Sequence, residues 1–98
     1  EDGRIDWFQT TETICNLVRA VSRPYPGAFC DSKYGKIVIW KACIVHNINI
    51  GKDTPGAVVE LSEKNNSMIQ CSDGLIEILE CNLEDGSAVQ LIAGDRLL

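Results

Sequence analysis

The chain has one histidine, His46, and no two cysteines at C-x-x-C spacing. Structural zinc sites draw on closely spaced Cys and His ligands, so a zinc-built fold has no basis here. Also absent are G-x-x-x-x-G-K-[ST] and G-x-G-x-x-G, the glycine loops that cradle phosphates. No apolar run approaches the roughly 20 residues that span a membrane, and no signal-peptide pattern opens the sequence. The start at Glu1, without an initiator Met, reads as a cut inside a longer polypeptide. Positive charge is scarce: nine Lys and Arg stand against 14 Asp and Glu, a net charge of -5. Nucleic-acid surfaces depend on cations that neutralise phosphates, so a broad backbone-binding face is disfavoured.

Hydrophobic residues make up 45% and charged residues 23% of the 98 positions, which suits a folded module and not a disordered one. A chain of this length makes one domain, 1–98. The five cysteines, Cys15, Cys30, Cys43, Cys71 and Cys81, all sit in apolar surroundings. Their odd number and their context point to buried reduced thiols in a cytoplasmic protein, not to disulfides.

Residues 1–9 form an extended lead-in with Ile5, Trp7 and Phe8. A helix is expected over 10–23: Thr10 or Thr11 caps it, and Glu12 sits where the helix dipole favours an anion. Ile14, Leu17, Val18 and Val21 fall at i, i+3, i+4 and i+7, a single apolar stripe. Pro24 ends the helix near Ser22, because the residue before proline avoids the α region. Pro26-Gly27 suits the centre of a type II turn, with glycine at the positive-φ position.

From residue 28 onward the pattern is β. Strands are expected at 28–30, 36–45, 57–61, 67–71, 75–83 and 87–92, separated by turns at 31–35, Pro55-Gly56, Asp73-Gly74 and Asp85-Gly86. Trp40 lies inside the most apolar of these runs and is read as core. In 75–83 neither alternating phase is cleanly apolar, which suggests burial on both faces over part of the strand. Residues 93–98 receive no assignment. The fold class is therefore mainly β: a small OB-like, partly open barrel of five to six strands (28–98) with one N-terminal amphipathic helix.

The search for chemistry finds no active site. His46 sits in a predicted loop without a nearby acid to orient it, so it reads as an exposed histidine and not a general base. Glu77, Glu80, Glu84 and Asp85 supply carboxylates, but on a hairpin edge these face solvent and deter edge pairing. Asp73-Gly74 and Asp85-Gly86 lack the alternating oxygens of a calcium loop. Arg19, Arg23, Lys33, Lys36 and Lys41 lie close in sequence and read as a mixed-charge solvated face. Six aromatics, Trp7, Phe8, Tyr25, Phe29, Tyr34 and Trp40, fall within the first 40 residues. A base-stacking platform on them is the less favoured reading. Trp7 and Phe8 are taken as packing residues against the helix or a neighbouring domain. An exposed apolar anchor for a protein partner is the alternative.

Three segments carry a family resemblance: EDGRIDW (1–7), TETICNLVRAVSRPYPGAF (11–29) and KIVIWKACIV (36–45). With PGAVV (55–59) and SDGL (72–75), they resemble the C-terminal domain of formyltransferases that use 10-formyltetrahydrofolate. NLVRAV followed by PYPGAF is most similar to the formyltransferase portion of the enzyme that formylates UDP-4-amino-4-deoxyarabinose. The resemblance implies an OB-like barrel and a non-catalytic role in transfer of a formyl group to an amine. It implies that 10-formyltetrahydrofolate and the catalytic Asn, His and Asp belong to an N-terminal catalytic domain absent from this chain. No catalytic, cofactor-binding or metal residue is carried over, and His46-Asn47 does not reproduce the family's Asn-x-His order. What the resemblance marks is a structural junction, Trp7, Pro24, Pro26, Gly27 and Phe29. Arg19 and Arg23 are the candidate substrate or tRNA contacts. Tail SAVQLIAGDRLL departs from the family by lacking the helical turn that many relatives place before the final G-x-[RK]-[LF]. In tRNA-modifying relatives this domain is basic. The acidic balance here favours an amino-sugar nucleotide or another small amine over tRNA, and a homodimer contact is left open.

Overall fold

A computed structural model describes residues 3–45 and 53–98. One helix, α1 (Thr11–Ala20), precedes five strands: β1 (Ala28–Ser32), β2 (Gly35–Ile44), β3 (Val58–Leu61), β4 (Ser67–Gln70) and β5 (Leu75–Leu83). They form one antiparallel sheet in the order β1-β2-β5-β4-β3. The result is mainly β, a small partly open barrel with the helix packed chiefly on β2.

The helix starts where the sequence predicts. Thr10 is the N-cap, and its hydroxyl oxygen accepts a hydrogen bond from the Thr13 amide at 3.1 Å. A second cap comes from far away: the Asp73 carboxylate accepts from the Thr11 amide at 2.9 Å. Ile14 and Val18 of the expected stripe are buried, and Leu17 and Val21 pack at its margin. The end differs from expectation. The helix stops at Ala20 with Val21 as its C-cap, short of the Ser22 limit that Pro24 sets. Ser22 is instead drawn to the sheet, where its hydroxyl donates to the Trp40 carbonyl at 3.2 Å.

Ile37 and Ile39 of β2 are fully buried on the core side, with Val38 between them buried from the opposite face. The alternation then breaks. The β2–β5 register slips between Ile39 and Lys41, and back between Lys41 and Ala42. On β2 the core side passes from Ile37 and Ile39 to Ala42 and Ile44. On β5 it passes from Ile76 and Ile78 to Cys81 and Leu83. An extra residue flips every later side chain to the opposite face. This bulge explains why neither phase of 75–83 was cleanly apolar: the two phases take turns. Burial on both faces is confined to Leu75 and Ile76.

Two expectations are corrected. Trp40 is not core: it is half-buried at the bulge, outside the buried cluster. No strand forms over 87–92; that segment joins no ladder and is anchored by Leu91 at 2% exposure. The remaining strands appear at or within a few residues of their predicted bounds. The loop reading that includes His46 and Asn47 lies outside the described residues.

The core gathers Trp7, Ile14, Val18, Ile37, Ile39, Ile69, Ile76, Leu91 and Leu97 from the lead-in, helix, sheet and tail. The edges of the sheet are covered. Gly3 and Ile5 pair with Phe29 of β1 through two 2.9 Å main-chain bonds, and the C-terminal residues lie along β3.

Candidate functional site

The outer face of β1, β2 and β5 carries a groove of about 870 Å³. Its position follows from strand alternation: Phe29 pairs with Val38 on the side opposite Cys30 and Ile37. Lys36, Val38, Phe29 and Trp40 form the floor. The Tyr25-Pro26-Gly27 turn and the end of α1 make one wall, and the Glu84-Asp85-Gly86 turn makes the other.

Gly27 is what lets the wall approach the floor. Its φ is +94°, and a Cβ there would lie 2.6 Å from Val38 Cγ1 and 2.9 Å from Trp40 Cζ3. Both the turn and the close approach require glycine. The Arg23–Pro24 peptide that leads into this turn is cis.

The cations around the groove are engaged by the domain's own groups. Arg23 lies over the Trp40 ring and pairs with Glu80 at 2.9 Å, while Lys41 reaches Glu80 at 3.9 Å. Lys36 stands 4.2 Å from the Phe29 ring centroid and 3.5 Å from Glu84. Arg4 covers Phe29 at 4.9 Å and pairs with Asp31 at 3.1 Å. The Trp40 indole N–H donates to Asn82 Oδ1 at 3.3 Å. Aromatic faces, cations and carboxylates thus meet one another around the floor.

The junction residues named from sequence separate into two places. Pro26, Gly27 and Phe29 line the groove, with Pro24 exposed beside it. Trp7 lies in the core at 3% exposure, whereas its neighbour Phe8 is 65% exposed. Burial of Trp7 within the domain removes it as an exposed partner anchor. Arg19 and Arg23 do not act together: Arg19 bonds the Asn16 side chain on its own helix, while Arg23 packs on the sheet. Tyr25 was named from sequence only among the six aromatics of the less favoured stacking platform, and Asn82 was not singled out. Shared phase with Trp40 was the available signal for Lys36 and Val38, but the bulge breaks it before Asn82.

Among the described lining residues there is no cysteine, histidine or serine to act as nucleophile or base. Among the described residues no cluster of three His, Cys, Asp or Glu groups is placed to hold a metal. Burial pushes the Cys30 and Cys71 thiols up to about 12 and also raises those of Cys15, Cys43 and Cys81. At neutral pH all five are protonated, and a thiol is a poor nucleophile.

The profile of the formyl transferase C-terminal domain family matches residues 1–93. The chain belongs to the formyl transferase C-terminal domain family. Within that family domain, the PYPGAF segment is the groove wall and the start of β1. The match stops short of the last five residues, Gly94 to Leu98. Among the described residues no helix is long and apolar enough to cross a membrane.

Proposed function

We propose that this domain is the non-catalytic companion of an N-formyltransferase that moves a formyl group from 10-formyltetrahydrofolate to a small amine, an amino-sugar nucleotide being the favoured class. The N-terminal catalytic domain of the same polypeptide supplies the folate site and the reacting groups, in the cytoplasm. The present domain braces it, and the groove face borders the acceptor cleft.

The observation that carries this reading over a tRNA-binding role is the self-neutralised groove. Arg4, Arg23, Lys36 and Lys41 each have an acidic partner within the domain. A phosphate backbone would have to displace those partners, in a chain whose net charge is already -5. Direct comparison of acceptors tests it. The full-length enzyme is expected to formylate a UDP-linked 4-amino sugar and to leave methionyl-tRNA unmodified. Formylation of methionyl-tRNA, with salt-sensitive tRNA binding lost on Arg19→Ala and Arg23→Ala, would replace this proposal with the tRNA reading.

A further inference from the structure

The last five residues occupy the gap between the two edge strands of the sheet. Gly94 donates its amide to the Val58 carbonyl at 2.9 Å, and Val58 donates to Asp95 at 2.8 Å. Leu97 donates to the Gly56 carbonyl at 2.7 Å. Leu98 then crosses to β1, exchanging two bonds with Asp31 at 2.9 and 3.0 Å. One short extended segment thereby joins β3 to β1, strands at opposite ends of the sheet order.

Side chains give this seat a specific shape. Leu97 is 1% exposed and belongs to the core cluster. Asp95 is 6% exposed; its carboxylate accepts from the Tyr34 hydroxyl at 2.7 Å and the Ile92 amide at 3.0 Å, and meets Lys33 at 3.0 Å. Arg96, between them, is exposed and pairs with Ala57 only through backbone. Gly56 completes the seat. A Cβ at Gly56 would collide with the Leu97 carbonyl oxygen, so the tail lies directly on a glycine backbone with φ +96°.

We infer that Gly56–Val58, Asp31 and the Lys33–Tyr34 pair form a strand-accepting slot whose occupant is the chain's own Asp-x-Leu tail. The slot reads backbone over four residues, a carboxylate at one position and a leucine two positions later. That is strand addition, in which main-chain bonds give affinity and alternate side chains give specificity. Seated, the tail bridges the edges of β1 and β3 through its main-chain bonds. This inference stands apart from the formyl-transfer reading, since no step of it involves a formyl group or an acceptor.

Amide hydrogen exchange on the chain ending at Ala93 tests it, with a synthetic peptide of residues 92–98 supplied in trans. Truncation is expected to speed exchange at the Asp31 and Val58 amides by about tenfold or more, with Ile69 less affected. Saturating peptide is expected to restore both, whereas peptides carrying Asp95→Asn or Leu97→Ala need about tenfold higher concentration. Equal action of all three peptides, or no restoration in a folded truncated chain, overturns the slot. Should the truncated chain be unfolded, the full-length Asp95→Asn and Leu97→Ala variants decide. Exchange accelerated selectively at Asp31 and Val58 supports the inference, and uniform acceleration with Ile69 overturns it.

Discussion

Arg23 lies 4.2 Å from the centroid of the Trp40 ring, with its guanidinium also 2.9 Å from Glu80. This one contact ties the turn after α1 to the β2 bulge and to β5. The pair is partly solvated, its side chains 56% and 40% exposed, so the ion pair itself contributes little. Arg23→Ala is expected to cost about 1 kcal/mol, mostly lost stacking, and to lower Tm by roughly 4–8 °C. Arg23→Lys is expected to recover part of that loss. A thermal melt of Arg23→Ala identical to the parent contradicts the stacking role.

Gly27→Val is expected to be more damaging than a surface change. It forces a positive φ on a β-branched residue and drives its Cβ into Val38 and Trp40. The loss is expected at roughly 1–3 kcal/mol, read by urea unfolding. Gly35→Ala is the control, since its φ is also positive but its Cβ meets nothing within 4 Å. Equal losses at the two sites would show that the groove wall does not need its close approach.

Thiol reactivity follows burial. Cys15, Cys30 and Cys71 are buried, while Cys43 and Cys81 are partly accessible. A water-soluble alkylating reagent near neutral pH is expected to label Cys43 and Cys81 slowly and the other three only on unfolding. Mass spectrometry of the labelled peptides checks this order. Early labelling of Cys30 would contradict its burial in the core from β1.

Much of this was legible in sequence because local chemistry and packing agree there. Thr10, Ile14, Val18 and Pro24 all point to the same helix, and Pro26-Gly27 to the same turn. The bulge was not legible: a phase switch at Trp40 and Leu79 looks, in sequence, like an imperfect strand. That is why Trp40 was read as core and the groove floor was missed. The 87–92 segment has strand composition but no free strand edge to pair with. The tail was unreadable for another reason. Its partners at Gly56, Val58 and Asp31 are remote in sequence, so nothing local announces them.

Asp95 makes stability depend on acid. Burial, the strongest single influence, raises its pKa, but the Ile92 amide, the Tyr34 hydroxyl and Lys33 together outweigh it and hold the carboxyl below its ordinary range. A carboxyl lowered in the folded state stabilises fully above the unfolded value of about 3.9. That contribution is lost as pH falls through the lower folded value. Asp95→Asn is therefore expected to flatten the decline of unfolding free energy below about pH 4. Glu77, held low by Asn66 and Ser62, and Asp85, held low by the Ser87 amide, leave a residual slope. An unchanged slope in Asp95→Asn contradicts the ionised, bonded carboxylate described here.

The central claim is that this domain serves formyl transfer without performing it. The most direct measurement is formyl transfer from 10-formyltetrahydrofolate to the amino-sugar nucleotide by the 98-residue chain alone, beside the full-length enzyme. The account predicts turnover by the full-length enzyme and only the buffer rate for the chain. Turnover by the isolated chain would contradict it.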